Sequence, residues 1–347
     1  MRHCKSFALK TRLLIGLVAA STFATVATSA LAAEEVNVYS YRQPFLTDPL
    51  FDAFTANTGI KVNTVFAKKG LLERLENEGR NSPADLLLVT NVGRLAGAVK
   101  AGVTQAVVSE TLNDNIPDIY RDPDGHWFGL TNRARIIVTA KKRVAEGVVN
   151  SYEDLAKPKL KGRICTRSGK HEYMVELIAS IVAHHGEAKA SEWLRGVKSN
   201  LARKPQGNDR AQVKAIAEGQ CDVAVINSYY MGAMLSDPEQ AGAAKTVNIV
   251  FPNQADRGTH MNISGVIMTN AAPNQDNALR LMEYLASDEA QAIYAMRNHE
   301  FPVKPSVERS ELVSSWGEFK TDELSLTEVA KHRATASKLV DTVNYDG

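Results

Sequence analysis

Val36-Asn37-Val38-Tyr39-Ser40-Tyr41, then the segment from Thr47 to Gly59, then Ile60-Lys61-Val62-Asn63-Thr64-Val65-Phe66: two strand-like runs flank a helical one, and that order decides the fold. Thr47 is expected to cap the helix with Pro49 near its first turn, Leu50, Phe51 and Phe54 share one side, and Gly59 ends it. The unit reads β, α, β, and the alternation continues. A helix is predicted over about Gly70 to Gly79, Asn81-Ser82-Pro83 breaks it, and Asp85 to Val89 is a short strand of buried type. A further helix runs from Val92 towards Gly102.

Around His126 to Ala140 the pattern changes. Trp127-Phe128-Gly129-Leu130 and Ile136-Ile137-Val138 read as extended chain with Arg133 and Arg135 between them, a candidate crossover between lobes. Tyr152-Glu153-Asp154-Leu155 begins a helical turn that Pro158 stops, and Gly162 to Thr166 is a strand leading to a Ser168-Gly169 turn. A second series starts there. Its helix from Glu172 to about His185 keeps Met174, Ile178, Ile181 and Val182 at three- and four-residue spacing, so its core face is explained by packing. Asn208 or Asp209 caps the next helix, Gly219 ends it, and a strand runs to Asn227. A return crossover is expected within Val247 to Gly265. Helical patterns around Ala278 to Leu285 and Glu289 to Arg297 follow, and 306–347 is helix-prone but less apolar.

The start of the 347-residue chain carries a different message. Arg2, Lys5, Lys10 and Arg12 precede an apolar stretch from Leu13 to Ala27 and then Ser29-Ala30-Leu31-Ala32, the layout of a secretory signal peptide, 1–32, cleaved after Ala32. It is too short and too rich in small residues for a good membrane span. Its removal takes the formal charge from +2 to −2 and leaves no basic nucleic-acid footprint. The remaining chain, about 315 residues, exceeds what one hydrophobic core usually holds, so two lobes are expected. Cys4 leaves with the signal. Cys165 and Cys221 remain as an even pair in an oxidising compartment, either bridged or as two buried thiols that never meet.

The chemistry rests on tyrosines. Tyr229 and Tyr230 follow the apolar run Cys221-Asp222-Val223-Ala224-Val225-Ile226-Asn227, and Tyr173 opens a helical pattern after Thr166-Arg167-Ser168-Gly169. Three phenols at element ends can form a hard anionic oxygen cluster, and a trivalent cation stabilises phenolate against a resting pKa near ~10. Fe(III) is the expected guest. Read alone, a Tyr-Tyr pair is more often packing, and a strand arginine more often pairs with a carboxylate. Arg133 and Arg135 could instead balance phenolate charge or fork onto carbonate. The Ser168-Gly169-Lys170 turn offers amide hydrogens and a helix N-terminus, a second place for an oxyanion. His184 and His185 are adjacent on a helix, lack chelating spacing and read as surface, whereas His171 and His260 could approach a cleft. No nucleophile elbow, phosphate loop, zinc-protease or dinucleotide motif is found, so no enzyme is expected; a Tyr/Arg hydrolase or lyase is the remote alternative.

Several strings together resemble the periplasmic ferric-iron-binding proteins of ABC importers, over essentially the whole mature chain. They are Val38-Tyr39-Ser40-Tyr41-Arg42, Gly129-Leu130-Thr131-Asn132-Arg133-Ala134-Arg135, Tyr152-Glu153-Asp154-Leu155, Ala202-Arg203-Lys204-Pro205-Gln206-Gly207-Asn208-Asp209, Asn227-Ser228-Tyr229-Tyr230, and Phe251-Pro252-Asn253-Gln254 with Gly258-Thr259-His260-Met261-Asn262-Ile263-Ser264-Gly265. The resemblance implies a transferrin-like, two-lobed α/β periplasmic-binding-protein fold, each lobe a mixed, mostly parallel sheet flanked by helices, with a two-strand hinge. The first lobe would be 33–130 plus 256–306 and the second 131–255 plus 307–347. It also implies iron held by Tyr173, Tyr229 and Tyr230, with Arg133 and less directly Arg135 beside it, and an inner-membrane ABC permease as partner of a periplasmic monomer. Relatives often carry a His-Tyr pair after the first strand; this chain has Arg42-Gln43-Pro44-Phe45 there. Its first-lobe contribution is therefore open among Tyr41, Arg42, Gln43, water, a carboxylate, and an exogenous anion such as carbonate or citrate. A solute-binding protein for an organic anion is the rival reading, since one scaffold carries many cargoes.

Overall fold

The computed structural model describes residues 34–347, so the signal peptide read at 1–32 lies outside the described residues. Nine strands order the described residues: β1 Glu35–Ser40, β2 Lys61–Phe66, β3 Leu86–Val89, β4 Phe128–Ala140, β5 Ile164–Cys165, β6 Val223–Asn227, β7 Val247–Val250, β8 Met261–Met268 and β9 Phe301–Pro302. The helices are α1 Pro44–Thr58, α2 Leu71–Glu78, α3 Val92–Lys100, α4 Glu110–Asn115, α5 Glu172–Ser199, α6 Asp209–Ala217, α7 Ser228–Leu235, α8 Pro238–Ala244, α9 Gln275–Leu285, α10 Asp288–Asn298, α11 Glu311–Ser314, α12 Leu326–Lys331 and α13 Arg333–Val343.

The strand order β2-β1-β3-β8-β4-β6-β5 contains two sheets that share β4. Residues 128–134 of β4 pair antiparallel with β8 in the first sheet, and 135–140 pair with β6 and β7 in the second. Arg133 and Arg135 thus fall where one strand passes between sheets. The two extended fragments expected around these arginines are one 13-residue strand, buried throughout because sheet covers both its edges. The connection from β7 through 251–260 to β8 is the return passage. The sheets are mixed as expected, but among the described residues antiparallel ladders outnumber parallel ones five to three, because both passages run against their neighbours. Two core clusters cover the faces of the first sheet, one built on Phe54, Phe128 and Leu281, the other on Tyr39, Leu87 and Ile267. A third fills the second sheet's surroundings and includes Val313, Ala336 and Val340 of the C-terminal segment.

Local chemistry explains most element ends. Helix α1 starts three residues before the expected cap: Pro44 at its first turn supplies the preset φ, and Thr47 lies inside, buried. Gly59 closes it with φ of 75°, a left-handed conformation that favours glycine. Helix α5 departs from helical geometry at Gly186, immediately after the expected end at His185, and then continues to Ser199. Cys165 of β5 and Cys221, just before the adjacent β6, are joined in a disulfide. His185 is exposed, as expected, with its ring on Glu153 at 2.9 Å, whereas His184 is half-buried with its ring on Asp322 at 2.7 Å.

Candidate metal centre

A cleft of about 610 Å³ collects Tyr173, Tyr229 and Tyr230 with Arg133, Arg167 and His171. The tyrosines sit in the first turns of two helices. Tyr173 is the second residue of α5, and Tyr229 and Tyr230 are the second and third of α7, which begins directly where β6 ends. The tyrosine pair is therefore helical rather than in a loop. Its position is set by Ser228, whose hydroxyl accepts the Ala134 N–H of β4 at 3.2 Å. The Tyr173 and Tyr229 hydroxyls are 3.3 Å apart, and the Tyr229 and Tyr230 rings lie 4.3 Å apart with a 31° tilt. Two oxygens bound to one ion at about 2 Å each can be no more than about 4 Å apart, so the first pair is already within sharing distance.

Burial, followed by the neighbouring Tyr173 and Tyr230, pushes the Tyr229 phenol well above its ordinary pKa. Burial, then Tyr173, pushes Tyr230 up to about 12. Both are neutral phenols at neutral pH unless a cation replaces the proton. Among the described residues no group of three or more His, Cys, Asp or Glu could hold a metal, and the phenols share the cleft with the carboxylates of Glu172 and Glu300, each paired with an arginine.

Three guanidinium groups surround the Tyr173 ring, Arg167 at 4.9 Å and Arg133 and Arg135 each at 5.8 Å. Their roles differ. Arg135 is buried and bonded to Asp209 and the Asn227 side chain at 2.7 and 2.9 Å, so its charge is already balanced away from the cleft. Arg133, also buried, bonds only neutral oxygens, the Ser264 hydroxyl at 3.0 Å and the Thr90 carbonyl. Among the described residues it forms no ion pair, and a buried guanidinium without a carboxylate favours an anion beside it.

The expected oxyanion turn is occupied by the chain itself. The Ser168 hydroxyl and the Gly169 N–H donate to the two oxygens of Asp346 at 2.6 and 2.7 Å, so neither serves the cleft. A Cβ on Gly169 would lie 2.7 Å from the Tyr345 ring, which is why glycine stands there. His171 does line the cleft: it caps α5 by accepting the Tyr173 N–H at 3.2 Å, and burial, then Arg167, lowers it to about 4, leaving a neutral ring. His260 does not reach the cleft; it is buried near Asp322.

On the first-lobe wall, Tyr41 is committed elsewhere. Its hydroxyl accepts the Leu72 N–H at 2.8 Å, and Arg94 lies 3.7 Å over its ring. Arg42 is forked onto Glu300 at 2.6 and 3.2 Å, an internal ion pair facing the cleft. Gln43 lines the cleft as the residue preceding α1, exposed, its side chain capping nothing. Unforeseen in the sequence are Arg94 and Glu172, paired across the cleft at 3.0 Å, and Asp209, which no local pattern marks beyond its place at a helix start.

Residues 81–318 match the family model described as bacterial extracellular solute-binding protein, and the chain belongs to that family. Among curated proteins it is 44% identical to iron uptake protein A1 of Synechocystis over 315 residues, covering 90% of this chain and 88% of that protein. Among solved structures it resembles apo ferric ion-binding protein A of Pasteurella haemolytica, with a TM-score of 0.88, 49% identity, and coverage of 91% and 99% of the two chains. A Trichodesmium protein solved in complex with iron and citrate gives a TM-score of 0.85 at 42% identity, covering 90% of this chain and 99% of its own. The two-lobed solute-binding fold is thereby established.

Proposed function

We propose that this protein captures ferric iron as cargo in the cleft, through Tyr173, Tyr229 and Tyr230, and delivers it to an inner-membrane ABC permease. The observation that carries this reading is the 3.3 Å approach of two phenol oxygens, with the third phenol in the same cleft and no carboxylate on Arg133. Hydroxyls packed for core stability would point into dry interior, whereas these three residues are half-exposed to the cleft. The relatives named for iron uptake and ferric-ion binding agree with it.

Three phenolates balance Fe(III), and an additional anion is then compensated by Arg133; carbonate or citrate fits its planar fork. The first lobe, 33–130 plus 256–306, closes over a second lobe, 131–255 plus 307–347, that holds the phenols. The chain acts in the periplasm as a monomer and catalyses no reaction. A solute-binding protein for an organic anion would use the arginines but leave the phenols without work.

Apo protein given ferric citrate turns orange to purple through phenolate-to-iron charge transfer, and Tyr229→Phe or Tyr230→Phe removes most of the colour. A colourless wild-type mixture under clean metal conditions overturns the assignment.

A further inference from the structure

We propose that Asp209, which lines no part of the metal-binding surface, is the positioning residue that sets the spacing of the tyrosine cluster by tying together the starts of the two helices that carry it. This rests on the ferric reading above for its biological meaning, though the geometry is independent of it.

The Asp209 side chain is fully buried, and both oxygens are used. One accepts Arg135 at 2.7 Å and the backbone N–H of Asn227 at 2.8 Å; the other accepts Arg167 at 2.8 Å. Each partner leads directly to a phenol. Asn227 is the last residue of β6 and immediately precedes α7, so its amide anchors the origin of Tyr229 and Tyr230. Arg167 lies in the approach to α5 and stands 4.9 Å over the Tyr173 ring. Arg135, held by the same carboxylate, reaches the sulfur of Met174, the residue after Tyr173, at 3.6 Å, and bonds the Asn227 side chain at 2.9 Å. A single carboxylate therefore spans β4, the turn before α5, and the β6 end. The two helix starts come from chain segments 56 residues apart; the β5–β6 pairing and the Cys165–Cys221 disulfide join the strands behind them, and the Asp209 ties join the segments at the cleft end.

The carboxylate is also the one group that makes two adjacent buried guanidiniums tolerable, since burial of unpaired like charges is strongly unfavourable. Position and charge balance are thus combined in Asp209, and the test must separate them. Asp209→Asn removes both ion pairs. Asp209→Asn combined with Arg167→Gln removes the tie while leaving the local charge sum unchanged. Asp209→Glu keeps charge but lengthens the tie.

The measurement is the visible charge-transfer band of protein loaded with ferric citrate, together with iron retention against a competing chelator, on variants whose circular dichroism matches wild type. Positioning predicts a shifted, weakened band and roughly tenfold or greater loss of retention in Asp209→Asn and in the charge-balanced double variant, with partial loss in Asp209→Glu. A wild-type band and retention in Asp209→Asn overturns the proposal, as does full recovery in the double variant, which would assign the effect to charge alone. Should Asp209→Asn fail to fold, Arg167→Gln alone, which leaves the Arg135 and Asn227 ties in place, carries the test on the Tyr173 arm. If wild type itself shows no band, the ferric reading fails separately. The tie is then judged in apo crystals of the double variant: Tyr173 and Tyr229 hydroxyls separated beyond hydrogen-bond distance support it, and an unchanged 3.3 Å contact overturns it.

Discussion

Tyr229 and Tyr230 show how a residue's surroundings create a use for it. Burial and neighbouring phenols hold both above the ordinary phenol range, so in the empty cleft they keep their protons. Iron binds the deprotonated form, and every proton displaced adds about tenfold in affinity per pH unit. An ordinary phenol, with a pKa near ~10, already makes protons compete through neutral pH, and the raised folded-state values strengthen that competition. Iron affinity measured against a chelator is therefore expected to rise steeply from pH 6 to pH 8, by about one decade per unit for each phenol bound as phenolate; a flat profile would remove them as ligands. At this scale residue type names the tyrosines as candidate hard oxygen donors, although a tyrosine pair read alone is more often packing. Arg133 and Arg135, two residues apart in one strand, were not separable: their difference is the presence of Asp209 beside one and its absence beside the other, and Asp209 is 74 positions from Arg135.

At the scale of elements, strands deliver and helices present. Strand β6 ends at the cleft, α7 begins there without a loop, and the tyrosine pair is carried in its first turn. The β5–β6 pair behind it is short, two residues of β5 on five of β6, and the Cys165–Cys221 disulfide reinforces it across a 56-residue separation. Closing a loop of that length in the unfolded chain is worth about 4 kcal/mol by chain entropy. Replacing both cysteines with alanine should lower unfolding free energy by up to about that amount, seen as a lower denaturant midpoint, while the iron-loaded spectrum is retained; an unchanged midpoint would show that the bridge adds nothing. Element boundaries set by Gly59, Pro158 and Gly219 could be read locally. Helix α1 starts at Pro44 rather than after Thr47, because proline presets the first-turn φ, and a threonine can cap a helix only where the helix begins. The anion turn was misread for a longer-range reason: its donors are consumed by Asp346, 178 residues beyond Ser168.

Across the whole molecule, β4 joins the two sheets, and the cleft is bridged between Arg94 of α3 and Glu172, the residue before Tyr173. Burial alone would raise the Glu172 carboxyl, yet Arg94 holds it below the usual range; Thr90 adds a hydrogen bond at 3.3 Å. Partly exposed pairs of this kind are worth roughly 0.2–1 kcal/mol, so Arg94→Ala should speed iron release about two- to fivefold at low salt and less at high salt. Release unaffected at any ionic strength would exclude the pair as a latch. The sequence by itself determined the alternating α/β plan, the crossover at Arg133 and Arg135, and Tyr173, Tyr229 and Tyr230 as candidate donors, because periodicity and residue type are local properties. Only the tertiary structure decided which arginine is left without a carboxylate, which turn is filled by Asp346, and that the Tyr41 hydroxyl accepts the Leu72 N–H while its ring carries Arg94. Charge balance and hydrogen-bond satisfaction in a buried site are settled by partners distant along the chain, and those partners meet only once the sheets are assembled.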